Sequence, residues 1–109
     1  MQVVVSADHS VTASQALAGE IERSVSDALM RFAGRITRVE AHLGEAAAHP
    51  GKQSKRCSLE AHVAGLGPVA VQDSAPSVDL AVDGAIDKLW RALDREFGRA
   101  EAAAVRGPP

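Results

Sequence analysis

The stretch that decides the fold is Ser77–Gly98, SVDLAVDGAIDKLWRALDREFG. At about 100° per residue, its apolar side chains fall on one side of a helix, which predicts a face buried against a core. Ser77 follows Pro76 and has the chemistry of an N-cap, because a serine hydroxyl accepts from the free N–H groups of the first turn. The apolar residues of this helix are Val78, Val82, Ala85, Ile86, Leu89, Leu93 and Phe97.

The rest of this helix separates its charges by sign. An acidic arc contains Asp79, Asp83, Asp87 and Asp94, and a basic row contains Lys88, Arg91, Arg95 and Arg99. Interleaved signs would form more i,i+4 pairs, each worth about 0.2–0.5 kcal/mol. The separation therefore favours a polyanionic partner. A solvated face whose charges separated by chance is the competing interpretation.

The first third of the chain predicts a strand followed by a helix. Gln2–Ser6 (QVVVS) is a short apolar run typical of an inner strand. Thr12 and Gln15 have capping-box spacing, and Gly34 ends the apolar repeat that follows them. That repeat, which predicts a helix with one buried side, consists of Leu17, Ile21, Val25, Ala28, Leu29 and Phe32.

The middle of the chain alternates between apolar and polar residues. The alternation runs over 36–43 and again over 56–63, which predicts a hairpin across the loop from Gly44 to Ser54. A turn at 65–68 then leads into a fourth strand, Val69–Gln72. The inward set is Val39, Ala41, Leu43, Cys57, Leu59, Ala61 and Val63; the outward set is Arg38, Glu40, His42, Arg56, Ser58, Glu60 and His62.

These elements predict an α+β fold of order βαβββα. A four-stranded mixed sheet with both helices packed on one face buries the apolar side of every element. A right-handed crossover makes the first two strands parallel, and hairpins add the others. We expect one domain over residues 1–100 and a flexible C-terminal tail over 101–109. In this arrangement the basic row is predicted to be extended by Arg31, Arg35, Lys52, Lys55 and Arg56.

Composition excludes several classes of protein. The formal net charge of −2 argues against a protein that coats nucleic acid, so any contact with a polyanion must come from a local patch. Cys57 has no second cysteine with which to form an intramolecular disulfide. No stretch approaches the roughly 18 apolar residues of a membrane span. We therefore predict a cytoplasmic protein without a membrane partner.

The outward residues Glu40, His42, Glu60 and His62 share the open face of the predicted sheet. Imidazole and carboxylate groups bind metals and transfer protons. Strand alternation alone places them there, however, and no HxH or HxxxH pair is present. We predict no metal site, no cofactor and no enzymatic activity. No phosphate-binding glycine loop is visible either, which argues against a small-molecule substrate.

Four segments resemble the ribosome-hibernation factor family, which includes hibernation promoting factor and ribosome-associated inhibitor A. They are MQVVVSADHSVTAS (1–14), RFAGRITRVEAHL (31–43), KRCSLEAHVAGLGPVAV (55–71) and SVDLAVDGAIDKLWRAL (77–93). The resemblance implies a βαβββα domain in the decoding region of the small ribosomal subunit. There the family blocks messenger and transfer RNA in stationary or stressed cells. The chain is similar to the short form, without a second domain.

The resemblance also implies a site. Lys88 and Arg91 match basic residues that contact ribosomal RNA in the family, Arg95 continues their row, and Arg31 matches a basic position at the end of the first helix. Lys55 and Arg56 join them as phosphate ligands, since arginine grips phosphate bidentately and lysine acts as a point charge. The expected partners are the small subunit and its rRNA. The edge strands leave homodimerisation open, but no feature of the sequence supports it.

Two departures from the family leave other functions open. The first helix has Ser24, Val25, Ser26 and Ala28 where typical members carry lysines, and Asp79 replaces a common aromatic residue. The alternative is therefore a non-enzymatic protein-interaction or stress module of the same fold with weak RNA affinity. A metal-dependent activity on the sheet face ranks third.

Overall fold

The computed structural model describes residues 1–9, 11–46 and 54–106, with side chains to Arg99. Its elements follow the predicted order βαβββα. They are β1 (Gln2–Ala7), α1 (Gln15–Ala28), a 3₁₀ turn (Met30–Phe32), β2 (Ile36–Glu45), β3 (Lys55–Val63), β4 (Gly67–Ala75) and α2 (Val78–Arg106). The loop that holds Pro50, Gly51 and Lys52 lies outside the described residues.

The sheet is mixed, as predicted, with spatial order β1-β2-β3-β4. β1 runs parallel to β2, with Val5 beside Ala41. β2 and β3 form the predicted antiparallel hairpin, and β4 pairs antiparallel with β3. β1 and β4 are therefore the edge strands. Both β2 and β4 extend beyond their predicted ends, to Glu45 and Ala75.

A single core fills the space between the sheet and its two helices. Every residue predicted to point inward from β2 and β3 is buried. Because successive strand residues point to opposite faces, the polar residues between them form a second, open face. Ile21 and Val25 join the core from α1. The buried residues of α2 are Ala81, Val82, Ala85, Ile86, Leu89, Leu93 and Phe97.

α1 begins and ends at other residues than the sequence predicted. Its N-cap is Ser14, whose Oγ accepts from the N–H of Leu17 at 3.1 Å, and not Thr12. Both hydroxyls are acceptable caps, so the residue at which the chain enters the helix decides between them. The α-helix ends at Ala28, and the 3₁₀ turn brings buried Phe32 to the core.

α2 continues past its predicted end near Gly98. Its backbone is helical to Arg106, because the alanine-rich segment after Gly98 consists of good helix formers and one glycine costs only about 1 kcal/mol. The flexible tail at 101–109 stays a prediction, and residues 107–109 lie outside the described part of the chain. Within that part, no helix has the length and hydropathy needed to cross a membrane.

Candidate nucleic-acid interface

The basic row occupies the exposed side of α2. Ser77 caps the helix as predicted, with its Oγ accepting from the N–H of Leu80 at 3.3 Å. Burial of the apolar side against the sheet fixes the rotation of the helix and turns the row to solvent. The exposed fractions are 53% for the side chain of Lys88, 71% for Arg91 and 73% for Arg99, and Arg95 is exposed as well.

Lys88 is attached to the neighbouring edge strand. Its Nζ lies 2.9 Å from Oδ1 of Asp73 and donates to the carbonyl oxygen of Gln72 at 3.0 Å. Both partners belong to β4, so nothing in the sequence of α2 indicated them. A phosphate that binds Lys88 must share or displace the Asp73 carboxylate.

The remaining cations of the row differ in their partners. Arg91 contacts Asp87 at 3.2 Å, and Arg99 contacts Glu96 at 3.2 Å. Exposed pairs of this kind contribute about 0–1 kcal/mol, which a phosphate can readily replace. Among the residues that the structure describes, Arg95 has no ion-pair partner. A phosphate can therefore bind Arg95 without displacing a carboxylate from it.

Arg31 lies beside α2, but at the acidic arc rather than in the basic row. Its Nη1 is 2.9 Å from Oδ1 of Asp94. Its guanidinium carbon is 5.3 Å from the ring centre of Phe32 and 5.5 Å from that of Trp90. The guanidinium of Arg35 similarly lies 4.5 Å from the ring centre of Phe97. Aromatic faces therefore orient both arginines where the 3₁₀ turn meets α2.

Lys55 and Arg56 point to opposite faces of the sheet. Lys55 pairs with Glu45 of β2 at 3.1 Å. Arg56 lies on the open face, where the register places it between Gly44 and Ser74. The expectation that Arg56 extends the basic row is therefore wrong, because adjacent strand residues alternate in direction. Lys52, the remaining predicted extension, lies outside the described residues.

An acidic groove separates α1 from α2. It has a volume of about 300 Å³ and is lined by Glu20, Asp79 and Asp83 together with Leu17, Ile21, Ser24 and Val82. Three carboxylates at one groove repel phosphate. The part of the surface suited to RNA is consequently the basic row, on a different side of α2.

Cys57 is buried on the inward face of β3, as predicted. Burial, and to a smaller extent the charge of Asp73, raises the pKa of its thiol to about 11. The thiol is therefore protonated at neutral pH and unsuited to nucleophilic chemistry.

Comparison with known proteins agrees with this architecture. A family model described as Sigma 54 modulation protein / S30EA ribosomal protein matches residues 3–101. No curated protein matches the chain.

Solved structures share the fold, and two of them illustrate the similarity. A ribosomal subunit interface protein from Coxiella burnetii superposes with a TM-score of 0.69 at 17% identity, covering 90% of this chain and 99% of that one. The N-terminal domain of Protein Y from Thermus thermophilus superposes with a TM-score of 0.66 at 18% identity, covering 87% of this chain and 98% of that one.

Proposed function

The chain belongs to the Sigma 54 modulation protein / S30EA ribosomal protein family, and from this premise we propose that it is a cytoplasmic ribosome hibernation factor. The family consists of ribosome-associated, non-enzymatic factors. In the proposed function, the protein binds rRNA of the small subunit in the decoding region. It occludes messenger and transfer RNA there under stress or in stationary phase.

The observation that carries this proposal is the basic row of α2. Its cations stand three or four residues apart on the exposed side of a helix whose other side is anchored in the core. A rigid row of this kind can meet several phosphates of folded RNA without losing backbone entropy. The similarity to a protein described as a ribosomal subunit interface protein supports the same class of partner.

In the proposed mechanism the bound protein occupies the site of messenger and transfer RNA, and no covalent bond is made or broken. Lys88, Arg91 and Arg95 contact phosphates, and Arg31 adds a cation beside Trp90. Because each phosphate contact releases counterions, the affinity should fall by about 0.7–0.9 log units per contact for each tenfold rise in salt. The aromatic rings pack against one another and against the core, which favours recognition of RNA shape over base stacking.

Co-sedimentation with purified small subunits over a salt series tests this proposal. We expect salt-sensitive binding by the native chain and its loss in the double variant Lys88→Glu with Arg91→Glu. The matched control is Lys88→Arg with Arg91→Lys, which keeps both charges and should still bind. Absence of binding at low salt, or equal binding by the charge-reversed variant, would contradict the proposal.

The alternative function is a protein-interaction or stress module with weak RNA affinity. The acidic groove at Glu20, Asp79 and Asp83 favours it, as do the carboxylates beside Lys88, Arg91 and Arg31. These groups lower the positive potential of the surface. A folded native chain that does not sediment with small subunits at low salt would support this alternative.

A further inference from the structure

The open face of the sheet brings two glutamates directly opposite each other. Glu40 of β2 and Glu60 of β3 are register partners, and both side chains point away from the helices. Like charges facing each other across two strands destabilise a sheet. His62 follows Glu60 by two residues on the same face of β3, so its imidazole reaches both carboxylates.

The three side chains converge on one point. Nε2 of His62 lies 3.6 Å from Oε2 of Glu40 and 3.9 Å from Oε1 of Glu60. One ligand atom from each residue lies within 4.8 Å of the others. Each side chain is partly exposed, with 31% for His62, 45% for Glu40 and 41% for Glu60, so the cluster lies at the surface of the open face.

The Nε2 atom of His62 lies between the two carboxylates. It is inaccessible to solvent and has no hydrogen-bond partner among the described residues. Both carboxylates stand beyond the usual hydrogen-bond distance of about 2.7–3.2 Å. Buried polar atoms normally have a partner, and an ion held between this nitrogen and the two carboxylate oxygens would supply one.

We propose that Glu40, Glu60 and His62 bind a divalent transition-metal ion, with Zn²⁺ as the representative ion. One imidazole nitrogen and two carboxylate oxygens form a donor set that Zn²⁺ accepts in tetrahedral geometry, at about 2.0–2.2 Å from each atom. At those bond lengths ligand atoms stand about 3.4 Å apart. The cluster therefore needs only small rotations of its side chains to close on an ion.

Arg38 orients the carboxylate of Glu40 toward the proposed metal site. Its Nη2 lies 3.1 Å from Oε1 of Glu40, which leaves Oε2 turned to His62. In known metal sites, hydrogen bonds from surrounding residues orient the side chains that bind the metal in the same way. Glu40 and Glu60 also line a cavity of about 670 Å³ on the open face, and the remaining coordination position is free for water or a small ligand from that cavity.

His42 does not belong to the proposed site, although it lies on the same face. Its Nδ1 is 2.9 Å from Oγ of Ser6 of β1, on the side away from β3. This separates two histidines that the sequence grouped together. The spacing along the chain showed no metal motif because the ligands are assembled across strands rather than along one.

Isothermal titration of the full chain with Zn²⁺ tests the site, in a Cys57→Ser background that removes the thiol as a competing ligand. We expect one equivalent to bind, His62→Ala and Glu60→Gln each to weaken binding at least about tenfold, and the matched control His42→Ala to bind within about twofold of the parent. Thermal unfolding without metal verifies that each variant folds. Zn²⁺ should raise the Tm of the parent and of His42→Ala, but not that of His62→Ala.

Two results would overturn the proposal. One is a folded parent chain that shows no saturable binding near one equivalent. The other is binding that His62→Ala and Glu60→Gln leave unchanged. Neither result bears on the proposed ribosome binding, which is assigned to α2 on the opposite face of the sheet.

Discussion

Nζ of Lys88 lies 2.9 Å from Oδ1 of Asp73, so the first cation of the basic row on α2 is bound to the edge strand β4. The same carboxylate lies against Gly84, one turn earlier on the helix. Asp73 consequently contacts α2 at Gly84 and also holds Lys88 in an ion pair that a phosphate has to replace. This contact couples the packing of the fold to the charge of its proposed RNA surface.

Replacing Asp73 with asparagine should strengthen ribosome binding. The variant frees Lys88 from a carboxylate while keeping the size of the side chain. An exposed ion pair contributes about 0.2–1 kcal/mol, which corresponds to an affinity gain of up to about fivefold. The measurement is co-sedimentation with small subunits at fixed salt. Glu22→Gln, which removes the same charge from α1, should change the affinity less than twofold. Unchanged binding by Asp73→Asn would show that Lys88 is not at the interface.

Arg91→Gln should reduce the salt dependence of binding by one phosphate contact. The slope of log affinity against log salt is expected to fall by about 0.7–0.9. Arg38→Gln is the matched control because it removes the same charge from the open face of the sheet. An equal change of slope in both variants would indicate a general charge effect and contradict a localised interface.

Gly84→Ala should destabilise the protein even though alanine favours helices. The added Cβ would collide with the carboxylate of Asp73, which has to move and release Lys88. We expect a loss of about 1–2 kcal/mol in the free energy of unfolding, measured by denaturant titration. Asp73→Ala should restore most of it in a double-mutant cycle.

Gly98→Ala is the control for this prediction, because nothing lies within 4 Å of its added Cβ. It should stabilise the chain by up to about 1 kcal/mol. Equal effects of the two alanine substitutions would argue against the contact between Gly84 and Asp73.

Stability should decline at alkaline pH because of Cys57. The folded chain raises the thiol pKa from 9.0 to about 11 through burial. Between these values the unfolded chain loses the proton and the folded chain keeps it. The stabilisation is therefore complete below pH 9 and is lost as the pH rises to 11, by an amount on the order of 2 kcal/mol. Cys57→Ser should flatten this part of the profile in urea titrations, and an unchanged profile would assign the decline to other groups.

Most of the fold could be predicted because its signals are local. The alternation at 36–43 and 56–63 identified the buried hydrophobic residues of β2 and β3 from Val39 onward, and the apolar repeat of α2 identified its buried face. The alternation missed buried Ile36, because the strand register is irregular between Ile36 and Arg38. The residues at which the helices begin and end were harder to predict from the sequence. Ser14 and Thr12 are both acceptable N-caps, and Gly98 has the chemistry of a helix terminator although good helix formers follow it.

The sequence by itself determined the βαβββα order, the identity of the core and the separation of charges on α2, because each depends on periodicity within one segment. Only the tertiary structure decided that Lys88 pairs with Asp73 of β4 and Arg31 with Asp94 of α2. It also brought Glu40, Glu60 and His62 together around one point. The physical reason is that these relationships depend on the register between strands and on the rotation of a helix over a sheet. Packing of the whole chain sets both.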